Sequence, residues 1–196
     1  FLDVGSGLPA GGNTHEIAQR IVPDTGIVYA DHDPAVILHA KALLGSPMLA
    51  STPEGAVYYA DADLRDVAAV LAAAATTLDL SRPVALIMLG ILGHVEDYVA
   101  ARSITSQLMD ELAPGSYLVI SHPTDDFNPN RGESIKRYNE RVADQATLRD
   151  QAGTTRFFAG LDLVEPGVVA VAKWRPDRDY LASMPSSMWC GVARKP

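Results

Sequence analysis

Apolar positions in this chain follow two alternating patterns, short continuous runs and longer stretches with an apolar residue every three or four positions. The short runs are rich in β-branched residues and predict strands at residues 1–4, 27–30, 56–60, 83–89 and 116–120. The helix-spaced stretches predict helices that begin near Asn13, Pro34 and Asp66, and a fourth that ends near Leu112. Five strand–helix units in succession predict a doubly wound α/β fold with a mostly parallel sheet.

The predicted helices carry further local signals. Asn13 and Glu16 have the spacing of a capping box, and Ile17, Ile21 and Val22 form the apolar stripe that the first helix is expected to bury. Residues 46–55 hold two prolines and are predicted to form a loop.

The pattern changes after residue 120. Residues 121–132 are polar and rich in turn-forming residues, and a long amphipathic helix with Ile135, Tyr138 and Val142 on one stripe is predicted to follow. Further strands are predicted at residues 161–164, 168–174 and 187–194. Two late strands without a full helix between them predict a C-terminal antiparallel hairpin, giving a seven-stranded sheet in one domain over residues 1–196.

Composition narrows the function classes. The net charge is −8, which argues against a broad nucleic-acid or anionic-membrane surface, and no apolar run is long enough to span a membrane. Cys190 is the only cysteine, so a reducing, cytoplasmic setting and a small buried side chain are expected. The chain begins inside a predicted central strand, which indicates that an N-terminal segment is absent from the sequence.

A turn dense in glycine follows the first predicted strand, with glycines at positions 5, 7, 11 and 12. Such a turn lets the backbone approach a nucleotide-like ligand closely. Gly5, Gly7 and Ala10 also satisfy a dinucleotide-binding pattern, so an NAD(P)-dependent oxidoreductase is one possibility. Asp3 is atypical for that pattern, because its carboxylate could reach a ligand's ammonium group directly or through water.

Acidic residues also end the second and third predicted strands. Asp31 can accept hydrogen bonds from both hydroxyls of a ribose, which either cofactor class would provide, and His32 could lie against an adenine ring or remain an exposed loop residue. Asp63 could accept from an adenine amino group while the Leu64 N–H donates to a ring nitrogen, although helix capping would also explain an acid there.

The fourth predicted strand leads into residues 90–97. His94 in this segment could act as a general base or be structural, so no catalytic residue is assigned. His15, His32 and His39 lie on three different predicted elements without ligand spacing, and no metal is expected.

Asp3, Gly5 and Gly7 resemble the first motif of class I S-adenosylmethionine-dependent methyltransferases, and the whole chain is similar to one actinobacterial-type family of them, formerly known as a domain of unknown function. The resemblance rests on residues 1–9, 13–16, 28–34, 62–66, 80–84, 113–122 and 164–168. The chain departs from the general motif at Pro9, where a third glycine is usual. Residues 90–97 resemble the loop that small-molecule methyltransferases place beside the sulfonium, not the Asn/Asp-Pro-Pro-aromatic motif of enzymes that methylate amino groups.

The resemblance implies S-adenosylmethionine as cofactor and five parallel strands followed by a hairpin. It also implies which residues contact the cofactor. Asp3, Gly5, Ser6 and Gly7 correspond to the turn that binds the methionine end, and Asp31 to the acid that binds the ribose. His32, Asp63 and Leu64 correspond to the residues around the adenine, and Gly90 to the loop beside the sulfonium. The leading hypothesis is methyl transfer to a small-molecule acceptor. The alternatives are the oxidoreductase and a non-catalytic cofactor-binding module, and the oligomeric state is not predicted.

Overall fold

The computed structural model describes residues 1–9, 11–44, 50–52, 55–128, 130–142 and 145–196. The chain divides into two compact units. The first is formed by Phe1–Ile87 and Gln107–Ser116, and the second by Met88–Ser106 and Tyr117–Pro196.

Parallel strands dominate the first unit, with helices in the connections. Its elements are β1 (Leu2–Val4), α1 (Thr14–Ile21), β2 (Ile27–Asp31), α2 (Pro34–Leu44), β3 (Ala50–Thr52), β4 (Gly55–Asp61), α3 (Val67–Ala74) and the first residues of β5 (Ala85–Leu89). The strand order is β3-β4-β2-β1-β5, in which only β3 runs antiparallel to its neighbour. The predicted strands of this part are therefore present.

The centre of this sheet is buried on both faces. Ile27, Val28, Tyr29 and Ala30 in β2 are each at most 3% exposed, as expected for a parallel strand covered on two sides. Residues at the same register of adjacent strands share a face, which places Asp3, Tyr29 and Tyr59 side by side across β1, β2 and β4.

The first helix differs from its prediction. Ile17, Ile21 and Val22 are 48%, 78% and 51% exposed, whereas Gln19 is buried. Hydrogen bonds from Thr14 to Asp3 and from His15 to Tyr29 set the rotation of α1, and they turn the predicted apolar stripe away from the sheet.

The predicted capping box is only half present. Asn13 occupies the N-cap position, but its side chain makes no capping hydrogen bond. The Glu16 carboxylate instead accepts from the Gly12 N–H at 2.6 Å and from the Asn13 side-chain amide at 3.3 Å. Because a carboxylate still receives a donor from the preceding turn, the start of α1 keeps part of the expected stabilisation.

The other two helices of this unit follow the expected pattern more closely. Val36, Ile37 and Ala40 of α2 are buried, as is Val70 of α3. The predicted loop over residues 46–55 is wrong at residues 50–52, which form β3, and at Gly55, which begins β4. Residues 45–49 and 53–54 lie outside the described part of the chain.

Antiparallel pairing defines the second unit. Its elements are the start of α4 (Tyr98–Asp110), β6 (Tyr117–Pro123), α5 (Asn130–Asn139), α6 (Gln151–Thr155), β7 (Asp162–Leu163), β8 (Val169–Ala170) and β9 (Met188–Arg194). Strand β9 is antiparallel to β6, β7 and β8. A mostly parallel α/β fold with antiparallel C-terminal strands is thus confirmed. Strands β7, β8 and β9 lie in segments that were predicted to be strands, whereas β3 was not predicted. The predicted strand at residues 168–174 is wrong at residues 171–173, which form a 3-10 helix.

The predicted long helix after residue 132 is shorter than expected. A polar connection follows β6 and leads to α5, which ends at Asn139. The Asn139 side-chain amide accepts from the Ala146 N–H and donates to the Ala146 carbonyl, at 2.8 Å each. Tyr138 is 45% exposed, and Val142 lies beyond the helix, so the predicted apolar stripe is not buried.

Replacement of Asp66 tests the start of α3. The Asp66 carboxylate accepts a hydrogen bond from the Ala69 N–H at 3.0 Å. Asp66→Ala removes this cap, and we expect the free energy of unfolding in urea to fall by about 1 kcal/mol. Asp66→Asn retains a side-chain acceptor and should keep most of that stability, so equal losses in the two variants would contradict the capping role.

Candidate functional site

The turn after β1 is held against the end of β2. Gly5 and Gly7 have φ angles of 72° and 67°, which favour glycine. The Gly5 N–H donates to the Ala30 carbonyl at 2.8 Å, and the Gly7 N–H donates to Oδ2 of Asp31 at 2.8 Å. A Cβ at Gly7 would meet no atom within 4 Å, so open space lies next to the backbone at this point.

The Asp31 carboxylate is held by two backbone donors. Oδ2 accepts from Gly7, and Oδ1 accepts from the Asp33 N–H at 2.9 Å. The Asp31 carbonyl accepts from the Ala62 N–H at 2.9 Å, which brings the segment after β4 beside the end of β2. Each carboxylate oxygen keeps a further lone pair for a hydroxyl donor.

Asp3 is buried below the turn, with only 7% of its surface exposed. Its Oδ2 accepts a hydrogen bond from the Thr14 hydroxyl at 2.7 Å. Burial raises the pKa of Asp3, the hydrogen bond from Thr14 opposes that change, and the nearby Asp31 charge adds to it. The side chain therefore anchors the start of α1, and little of its surface is open to a ligand.

Ser6 contributes an unusual group to the turn. Its hydroxyl oxygen is buried and has no hydrogen-bond partner in the described part of the chain. Because a buried hydroxyl without a partner is costly, such an atom often marks the place of a group that binds there. The sequence predicted a contact from Ser6 but not this burial.

Asp63, Leu64 and His32 lie at the ends of β4 and β2. Oδ1 of Asp63 accepts from the Arg65 N–H at 2.9 Å, and the Arg65 guanidinium lies 3.3 Å away. Burial alone would raise the pKa of Asp63. The hydrogen bonds and the positive charge of Arg65, together with His32, have the larger effect and lower the pKa of Asp63. His32 is exposed.

Leu64 could contact a ligand only through its backbone. Its side chain is 2% exposed and belongs to the core. Its N–H has no acceptor among the residues that the structure describes. This donor lies directly after Asp63, as the predicted adenine contact requires.

Sequence reasoning missed a row of aromatic side chains beside Asp3. The rings of Tyr29 and Tyr59 stack with centroids 4.5 Å apart, and the Tyr29 hydroxyl lies 2.8 Å from both the His15 N–H nitrogen and His15 Nδ1. Burial raises the pKa of Tyr59 to about 12, and the negative charges of Asp3 and Glu16 contribute. The stacking could have been anticipated from the sequence only because Tyr29 and Tyr59 occupy matching positions in two predicted strands.

In the second unit, Gly90 directly follows β5. It has a φ angle of 79°, and its N–H donates to the Ser121 carbonyl at 2.9 Å. The following residues form a 3-10 helix, Ile91–His94, so His94 lies at the end of that helix and is partly exposed. Neither observation assigns His94 a role.

A buried arginine holds the segment after Gly90. Arg149 is 8% exposed, and its guanidinium donates to the carbonyls of Leu92 at 2.9 Å and Val95 at 2.7 Å. It also donates to Nε2 of His122 at 2.6 Å, while Nδ1 of His122 pairs with the Pro123 carbonyl at 2.9 Å. This pattern requires a neutral imidazole with its proton on Nδ1.

The described residues include no group of three His, Cys, Asp or Glu side chains placed to hold a metal ion. Within the same residues, no helix is long and apolar enough to cross a membrane. Cys190 lies in β9, where burial raises its thiol pKa to about 11.

The fold is that of class I methyltransferases. An S-adenosylmethionine-dependent methyltransferase of Methanosarcina mazei superimposes with a TM-score of 0.65 at 14% identity, covering 99% of this chain and 91% of that one. The N-methyltransferase NodS of Bradyrhizobium japonicum, in complex with S-adenosylhomocysteine, gives a TM-score of 0.56 at 14% identity over 100% of this chain and 76% of that one. At these identities the likeness concerns the fold alone.

The chain belongs to the S-adenosyl methyltransferase family, whose profile matches residues 1–196. A DUF574 family protein of Streptomyces avermitilis is 42% identical, with a TM-score of 0.91 over 100% of this chain and 75% of that one. A Thermobifida fusca protein, provisionally named a methyltransferase, is 35% identical and gives a TM-score of 0.84, covering 100% of this chain and 72% of that one. No curated protein sequence matches the chain. The predicted family is confirmed, and S-adenosylmethionine is the cofactor of that family.

The neutral state of His122 predicts a pH dependence. His122 is fully buried, and burial lowers its pKa from 6.5 to about 4, with a further contribution from the Arg149 charge that the carbonyls of Pro123 and Leu92 oppose. Below pH 6.5, His122 binds a proton in the unfolded chain, whereas in the folded chain it stays neutral down to about pH 4. Stability is therefore complete above pH 6.5 and falls towards pH 4, by up to about 3 kcal/mol.

His122→Gln removes this titration and should flatten that part of the stability curve, measured by urea unfolding at several pH values. His39 is an exposed histidine in α2, and His39→Gln should leave the curve unchanged. If the stability of His122→Gln depends on pH as steeply as that of the wild-type protein, His122 is not the group that titrates.

Proposed function

We propose that the protein is a methyltransferase that transfers a methyl group from S-adenosylmethionine to a small-molecule acceptor. The observation that carries this proposal is the Asp31 carboxylate, which two backbone N–H groups fix beside the glycine turn. Family membership supports the cofactor assignment and favours it over a nicotinamide cofactor. Ala10, on which the nicotinamide pattern depends, lies outside the described residues.

The groups at the strand ends fit the polar parts of this cofactor. Asp31 would accept from the ribose hydroxyls through its remaining lone pairs, while Asp63 and the Leu64 N–H would bind the adenine edge with His32 beside them. The open space next to Gly7 and the unpartnered Ser6 hydroxyl fit a ligand that lies against the turn.

Asp3 has a more restricted role in this proposal. Because it is 7% exposed and bonded to Thr14, a contact to the cofactor's ammonium group through water fits better than a direct one. Its negative charge, together with that of Asp31, would still favour a cation near the turn. Gly5 would serve by its backbone conformation, and Gly90, directly after β5, is proposed as a further cofactor contact.

Bound S-adenosylmethionine supplies an electrophilic methyl group on a sulfonium. The protein's part is to orient this group and the acceptor and to exclude water, since alignment of two reactants lowers the barrier without an acid or base. No side chain is assigned as a catalytic residue. An acceptor that is already nucleophilic needs none.

The first test is calorimetric titration of the purified protein with S-adenosylhomocysteine, with NAD in a parallel run. We expect S-adenosylhomocysteine to bind and NAD not to bind. Asp31→Ala removes an acceptor of charge-assisted hydrogen bonds and should weaken binding about 10- to 100-fold. Asp24→Ala, at an exposed site after α1, is the matched control and should leave affinity unchanged.

The melting temperature of each variant must be measured as well, because Asp31 also holds the turn. Unchanged affinity in a folded Asp31→Ala variant would contradict the ribose assignment, and binding of NAD alone would contradict the cofactor assignment. Binding of S-adenosylhomocysteine without turnover on any acceptor would support the non-catalytic alternative.

A further inference from the structure

The second unit contains a cavity of about 500 Å³ beside the start of β9. Its walls include residues of two 3-10 helices, Val171–Lys173 and Asp179–Ser183, and of the segments that follow them. We call it the β9 cavity. Small-molecule sites usually have volumes of about 300–1,000 Å³, so it is large enough for a compact ligand.

Met188 connects this cavity with the end of β5. Met188 lines the cavity, and its terminal methyl carbon lies 3.5 Å from the position that a Cβ on Gly90 would occupy. The Ser121 hydroxyl lies 3.9 Å from the Met188 sulfur. Ligands of open α/β sheets bind outside the carboxyl ends of the strands, and Gly90 is the first residue after such an end. Within the second unit, the cavity therefore extends to the residue that follows the carboxyl end of β5.

Specific contacts hold the wall of the cavity in place. Arg175 has a φ angle of 40°, an unfavourable conformation for a residue with a side chain, and its Nε donates to the Glu165 carbonyl at 2.9 Å. Its guanidinium also lies over the Trp174 ring at 5.7 Å. At the other end, the Thr124 N–H donates to the Ser187 carbonyl at 3.1 Å. The wall is thus anchored on both sides.

The lining is suited to an aromatic ring. Trp174, Leu181, Met184 and Met188 provide an indole, a branched apolar side chain and two thioethers. Thioethers and indoles pack favourably against aromatic rings. Such a lining favours a flat apolar ligand over a strongly hydrated one.

The charges at the cavity favour a hydrogen-bond donor over an anion. The Arg175 guanidinium lines the cavity and donates to the backbone carbonyl of Glu165, a neutral acceptor that leaves the positive charge in place. Asp177 also lines the cavity, and its carboxylate has no partner among the described residues. A ligand hydroxyl could donate to this carboxylate, whereas a ligand carboxylate would lose hydration without a net electrostatic gain, because the charges of Arg175 and Asp177 are opposite.

We propose that the β9 cavity binds the methyl acceptor, and that the acceptor is a planar aromatic compound with a hydroxyl group. This inference rests on the proposed function. In the transfer, the hydroxyl oxygen forms the bond to the methyl carbon while the carbon–sulfur bond breaks and its electron pair passes to sulfur. The hydroxyl proton is released to solvent.

The test is calorimetric titration of the purified protein with 2-naphthol, with cyclohexanol and 2-naphthoate as comparison ligands. We expect saturable binding of 2-naphthol that is at least tenfold tighter than binding of either comparison ligand. Cyclohexanol keeps the hydroxyl but lacks the aromatic ring, and 2-naphthoate keeps the ring but carries a negative charge. No binding of 2-naphthol, or equal binding of all three ligands, would overturn the proposal.

Met184→Glu places a charge in the lining and should weaken 2-naphthol binding at least tenfold. Met184 is 54% exposed, so the substitution should leave the fold intact, which circular dichroism would check. Val99→Glu is the matched control, since Val99 is 74% exposed in α4 and does not line the cavity. Leu181→Ala, which removes apolar contact area without adding a charge, is a second variant that should also weaken binding.

S-adenosylhomocysteine is titrated into the same preparations, which separates the two proposals. If it binds while 2-naphthol does not, the cavity assignment is wrong and the proposed function stands. If 2-naphthol binds and responds to Met184→Glu while S-adenosylhomocysteine does not bind, the cavity is an aromatic-binding site and the proposed function is wrong. Equal 2-naphthol affinity in Met184→Glu and Val99→Glu would contradict the location of the site.

Discussion

The candidate cofactor site depends on the Asp31 carboxylate, because this one side chain joins the turn after β1 to the end of β2. Its two oxygens accept from the N–H groups of Gly7 and Asp33, and hydrogen bonds to a charged acceptor are stronger than those between neutral groups. Its carbonyl also accepts from Ala62 after β4. One residue thus fixes the relative positions of three chain segments. The positive φ angles at Gly5 and Gly7 shape the turn, and the hydrogen bond to Asp31 holds that turn at the end of β2.

The sequence predicted the order of strands and helices well, because that information is local. A buried parallel strand is a continuous apolar run, as in residues 27–30, and the residue after such a run lies at the ligand-binding edge of the sheet. Asp31 could be singled out for that reason, and Asp63 because it lies a few residues after the run at 56–60. The burial of α1 could not be predicted in the same way. Its rotation is set by hydrogen bonds of Thr14 and His15 to residues of β1 and β2, and helical periodicity contains no information about them.

Contacts between residues far apart in the chain account for most of what the sequence left out. Tyr29 and Tyr59 stack because β2 and β4 pair in one particular register, which the sequence of either strand alone does not specify. Likewise, a planar guanidinium that reaches several carbonyls cannot be recognised from residue 149 alone, since its acceptors include Leu92, 57 positions earlier.

The Arg149 cluster gives a physical reason for a rigid segment after Gly90. A buried cation is costly unless its donors are satisfied, and here backbone carbonyls and a neutral His122 satisfy them instead of a carboxylate. The forked guanidinium suits this task better than a lysine ammonium, because it directs several donors in one plane. Since Pro123, next to His122, pairs in register with Met188, the same cluster supports both Gly90 and the edge of the β9 cavity. The proposed methyl transfer would depend on such support, because small displacements of either reactant greatly reduce the rate.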